Sequence, residues 1–95
     1  MSKEDEIMNY LHKKVFDPIL DSNKASQKLK SGIHLTIARM NQRDAEGMLH
    51  YYWAAVTGTE RSTNFAKLMK EEGFTRFEDV LEEFREKFNN DWLRS

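Results

Sequence analysis

"DAEGMLHYYWAAVTG", residues 44–58, is the most apolar element of the chain, and its spacing sets what must surround it. Ala45, Met48, Leu49, Tyr52 and Val56 recur at intervals of three and four, the period of one face of a helix rather than the alternation of a strand. Asp44 suits an N-cap, and Gly58 suits the left-handed residue that closes a helix. The run therefore predicts a helix over 45–57 with Tyr52 in the middle of its buried stripe. Tyr51, Tyr52 and Trp53 are consecutive, and successive helical positions turn by about 100°, so three bulky rings cannot all face one core. With the stripe through Tyr52 as the core direction, Trp53 falls on one flank and Tyr51 points outward. Together with His50 they form a candidate contact surface, because Tyr and Trp are enriched where proteins bind one another.

The same period extends in both directions. Before the central run, Ile7, Leu11 and Val15 mark a first helix over about 3–16, which "FDPIL" (16–20) should interrupt, with Asp17 capping a short new turn begun by Pro18. Leu29, Ile33, Ile37 and Met40 mark a second helix over about 24–41, with Gly32 inside it indicating close packing or a kink. After the central run, Phe65, Leu68 and Met69 mark a fourth helix that begins at Thr59 or Ser62 and is closed by Gly73. Thr75 and Glu78 read as a capping box that opens a fifth helix reaching about residue 92, with Phe77, Val80, Leu81, Phe84, Phe88 and Trp92 on its stripe. The expected architecture is all-α: one domain over 1–95, a compact bundle of four main helices plus a short extra helical turn.

Composition narrows the function classes. Charged residues are 33% and aromatics 12%, the mark of a very soluble chain that still carries enough ring surface to fold. There is no cysteine, so disulfides and thiolate chemistry are excluded. No apolar run approaches a membrane span or the core of a signal peptide, so the expected location is cytoplasmic with no membrane contact.

No catalytic pattern emerges. Glu82, Glu83 and Glu86 form an E-E-x-x-E motif that resembles the one with which all-α nucleotide pyrophosphohydrolases hold magnesium. That family also needs an E-x-x-D on a later helix, whereas Asp91 follows on what reads as the same helix. A solvated glutamate face is the plainer reading. His12, His34 and His50 show no metal-ligand spacing and have no cysteine beside them. Glu46 and His50, four apart, make a surface ion pair. The chain reads as a non-enzyme with no cofactor and no metal.

Charge is segregated along the chain. Residues 11–43 hold seven basic side chains against two acidic ones, and residues 44–95 hold seven against eleven. Lys24, Lys28, Lys30, Arg39 and Arg43 in the basic segment are candidate nucleic-acid contacts, since phosphate affinity grows with accumulated positive charge. The third and fourth helices only superficially resemble a helix-turn-helix. With Gly58 as the turn, its buried positions would fall on Asn64 and Lys67 instead of Phe65 and Leu68. The leading expectation is a small protein-interaction or regulatory module with a protein partner or a homodimer. A small nucleic-acid-binding protein using 11–43 is the alternative.

Overall fold

The computed structural model describes residues 2–57, 65–74 and 77–95. These residues form an all-α globule measuring 39 × 25 × 24 Å, with no strand among them. Helix α1 spans Lys3–Leu11, with Ser2 Oγ accepting the Asp5 N–H at 3.1 Å as its cap. The interruption expected at "FDPIL" does not occur. The chain winds on through a π-helical turn, His12–Phe16, straight into α2, Asp17–Leu20. Asp17 is itself helical (φ −64°, ψ −44°) and caps nothing.

Pro18 supplies a physical reason for the wide turn. In α geometry its ring would press on the Lys14 carbonyl, to which it has no N–H to offer. The π turn just before it spreads the carbonyls, and the Asp17 N–H reaches back five residues to His12 O. The same register brings the side chains of His12 and Asp17 together, Nδ1 to Oδ1 at 3.0 Å. On an α-helix, residues five apart would point about 140° away from each other.

Helix α3 spans Gln27–Met40 and starts three residues later than its apolar period suggested, because Ser26 is the cap. The Ser26 hydroxyl accepts the Leu29 N–H at 3.0 Å, and its own N–H donates to Glu72 at 2.6 Å, with the hydroxyl donating to the other carboxylate oxygen. The arrangement is a capping box in which the glutamate comes from the end of another helix. These bonds hold the Glu72 carboxyl below its ordinary value, the Ser26 hydroxyl contributing most and the Ser26 N–H next. A carboxyl lowered by folding adds stability above its ordinary pKa and loses it as pH falls through the folded value. Glu72→Ala should therefore be less stable than the parent near neutrality, with the gap closing as acid takes both below pH 4.5. A gap in denaturant melts that ignored pH would show that the ionised carboxylate is not the tie.

Helix α4 occupies Ala45–Thr57, as its spacing predicts. Asp44 Oδ1 accepts the Gly47 N–H at 2.9 Å, while Glu4 of α1 reaches across to accept the Ala45 N–H, also at 2.9 Å. Gly47 fits closely here, since a Cβ would lie 3.1 Å from Arg43 Cβ and 3.2 Å from the capping oxygen, tight enough that a neighbour would have to shift by a few tenths of an ångström. Helix α5, Phe65–Glu71, ends at Gly73 with φ +86°, and the Phe74 N–H returns to Met69 O at 2.9 Å in a Schellman closure. The expected start of this helix, the Thr75–Glu78 box and the side chains of Phe65, Phe77, Val80 and Leu81 lie outside the described residues.

The long fifth helix is in fact two. Helix α6 covers Phe77–Lys87 and α7 covers Asn90–Arg94, separated by Asn89 in extended conformation. Asn89 Oδ1 accepts the Trp92 N–H at 2.8 Å, a new N-cap in mid-stripe. Lys3 ties α7 to the start of the chain by donating to Leu93 O and Ser95 O, both at 2.6 Å.

Helix α4 lies against α1, α3 and α5, which makes it the hub of the core. Its Tyr52 is fully buried between Phe16 (centroids 6.2 Å) and Phe84 (4.9 Å). The ring chain continues through Phe88 at 5.1 Å to Trp92 at 4.7 Å. Ile7, Leu11, Leu29, Ile33, Met40 and Met69 fill the space around it.

Candidate interaction surface

The three rings of α4 divide differently from the sequence expectation. Tyr51 is only 5% exposed and belongs to the core, whereas Trp53 keeps 37% of its surface in solvent. The correction follows from packing on three sides. Helix α4 buries a broad face, and Met48, Tyr51 and Ala55, at spacings of three and four, form a second stripe beside Ala45, Tyr52 and Val56. Leu49, placed in the stripe by sequence, is only half-buried. Ala55 after Tyr51 was the available signal, easily missed because alanine carries little apolar weight.

Arg43 lies over the Tyr51 ring, its guanidinium carbon 4.8 Å from the centroid. The hydroxyls of Tyr51 and Tyr52 are both buried with no hydrogen-bond partner among the described residues. Burial pushes the Tyr52 hydroxyl well above the ordinary phenol range. Neither hydroxyl is offered to a partner, so Tyr51 is withdrawn from the contact surface.

Among the described side chains of α4, those that remain exposed are Glu46, His50 and Trp53, one residue per turn. His50 and Glu46 are both largely solvated, with Nε2 to Oε1 at 4.0 Å, the loose surface pair their spacing suggests. Arg85 of α6 stacks on Trp53, guanidinium carbon to ring centroid 4.7 Å, and sets the indole plane against the neighbouring helix. Sequence reasoning missed Arg85, since nothing local relates position 85 to position 53.

The basic candidates do not form one stripe. On α3, Lys28 is exposed and Arg39 half-exposed on one flank, beside Leu35, while Lys30 is half-buried on the opposite flank. Lys24 precedes the helix, and Arg43 is engaged over Tyr51. Lys28 and Lys30, two residues apart, fall about 200° around the helix from each other, so the five candidates do not converge on one surface of α3. Leu35, at 38% exposure, was the second residue missed.

Glu82, Glu83 and Glu86 are all exposed, and Asp91 lies on α7, not on their helix. Among the described residues no three metal-capable side chains converge. An open groove between the first helix and α6 is lined by Tyr10, Lys14, Glu83, Glu86 and Lys87. There the Tyr10 hydroxyl donates to Glu83 at 3.1 Å, and partial burial, reinforced by that bond and the carboxylate charge, pushes the phenol up to about 12. Two lysines facing two glutamates leave the groove without a dominant charge. His12, paired with Asp17, stands on the π turn, and the exposed His34 belongs to α3.

Fold and surface together define a small all-α domain organised on one buried helix with a narrow exposed face, and no described helix is long and apolar enough to cross a membrane. No family model, characterised protein or solved structure matches the chain.

Proposed function

We propose that the chain is a small non-enzymatic protein-interaction or regulatory module that binds a protein through the exposed face of α4, namely Glu46, His50 and Trp53 with Arg85 beside them. The observation that supports this most is the contrast between neighbours: Tyr51 and Tyr52 are sunk in the core while Trp53 stays partly in solvent. An indole held flat by a guanidinium loses little freedom on binding, and buried Trp and Arg supply much of the energy of protein contacts.

A photo-crosslinking amino acid at position 50 should yield a discrete protein adduct on irradiation in cells. The same probe at the exposed Asn23 should not. Absence of any adduct at position 50 would sink this reading.

Nucleic-acid binding through 11–43 is the second reading. It is supported by the absence of any acidic residue from 22 to 43. An adduct removed by nuclease would favour it over the first.

A further inference from the structure

We propose that α7 is a hinged strap, latched by the Lys3 ammonium group, which opens as a unit while the rest of the core stays folded and uncovers the side of Phe88 that Trp92 covers. The strap does not depend on what the α4 face binds. Lys3 is the first residue of α1, where the helix dipole disfavours a cation, and the residues after it, Glu4, Asp5 and Glu6, carry the sign that suits the position. A residue that breaks the local rule is placed for a contact elsewhere. The Lys3 ammonium donates to Leu93 O and Ser95 O and lies 5.5 Å from the centroid of the Trp92 ring. These contacts all reach the C-terminal end of α7, where the dipole favours a cation. Bonds from a charged donor are also stronger than neutral ones.

The rest of α7 is weakly attached. A helix of five residues does not hold its shape alone in water, and none of the five is buried. Trp92 and Leu93 are half-buried, with the indole edge-on to Phe88 at 4.7 Å. The bonds that shape the strap are internal to it. The Trp92 N–H donates to Asn89 Oδ1 at 2.8 Å and the Leu93 N–H to Asn89 O at 3.0 Å. Opening at the Phe88–Asn89 link keeps both. It gives up the partial burial of Trp92 and Leu93, the Lys3 bonds, and the bond from the exposed Asn89 side chain to Glu86 O at 2.9 Å, which water can replace. Lys3 is the charged tie among them. Phe88 also meets Tyr10 edge-on at 5.3 Å, and Tyr10 is a wall of the open groove, so opening adds apolar surface beside that groove.

Amide exchange followed by NMR on the parent chain should show the Trp92 and Leu93 amides exchanging about 100-fold faster or more than those in the middle of α4, through an opening that small additions of urea leave unchanged. Lys3→Met keeps the stem and removes the charge and its donors. It also relieves the misplaced charge on α1, so an effect confined to that helix would tighten the fold. In this variant the Trp92 and Leu93 amides should exchange about tenfold faster still, while those of α4 keep their rates. With Trp53→Phe as a common background, Trp92 is the sole indole, and in Lys3→Met its emission should move to the red and be quenched more readily by acrylamide.

Trp92 and Leu93 amides that exchange at the α4 rate, with the same urea dependence, would show that α7 opens only with the whole domain and would overturn the strap. A Lys3→Met chain whose α7 exchange and Trp92 emission match the parent's would overturn it equally, since Lys3 would then latch nothing.

Discussion

Phe84→Ala should cost about 3–5 kcal/mol of folding stability, the usual loss when a buried aromatic ring is truncated. Phe84 is 3% exposed and sits where three elements meet. Its ring centroid is 4.9 Å from Tyr52 of α4, 5.1 Å from Phe88 and 6.1 Å from Tyr10 of α1. Removing it leaves a cavity lined by rings that cannot collapse onto one another without moving the whole of α6. Its neighbour Glu83 is exposed and accepts the Tyr10 hydroxyl. Glu83→Ala should therefore stay within about 0.5 kcal/mol, as a surface change does. Equal losses for the two in urea melts would mean that α6 buries a different face.

Much of this fold was legible in the residues. The period of three and four gave the all-α class, the bounds of α4 and the closing role of Gly73. Breaks depend on interactions that period does not carry. Asp17–Pro18 reads as a helix start because proline favours the first turn, yet the π turn before it lets the helix run on. Asn89 splits the last helix although the apolar stripe runs on through Phe88 to Trp92, since its cap to the Trp92 N–H competes with helix continuation. Ser26 reads as a cap only when Glu72 is placed beside it, and that is a tertiary fact.

The proposed contact surface was half legible. His50 and Trp53 are exposed, whereas Tyr51, the ring expected to point outward, is buried and Trp53, expected on a flank, is the exposed ring. A stripe drawn through Leu49 assumes a helix with one buried side, whereas α4 is enclosed on three. Arg85 and Leu35 become visible only when helices are placed side by side.

Tyr51→Ala should accordingly destabilise by about 2–4 kcal/mol, the cost of a large buried side chain reduced by the release of a hydroxyl that has no partner among the described residues. Tyr51→Phe separates the two contributions. It keeps the ring, removes the unpaired hydroxyl and should be neutral or stabilising by about 1 kcal/mol. Arg43, lying over the ring, would keep a face to stack on in the phenylalanine variant but not in the alanine one. Trp53→Ala differs in kind, because the indole is already partly solvated and its guanidinium partner is exposed. Its loss should cost under about 1 kcal/mol of stability.

The division of α4 into a core side and a contact side is tested most directly by unfolding Tyr51→Ala and Trp53→Ala in denaturant beside the parent chain. The expected result is a large loss for Tyr51→Ala and a near-parent curve for Trp53→Ala. The contrary result, a Trp53→Ala domain that melts as early as Tyr51→Ala or earlier, would place the indole in the structural core and leave the α4 face with no ring to offer a partner.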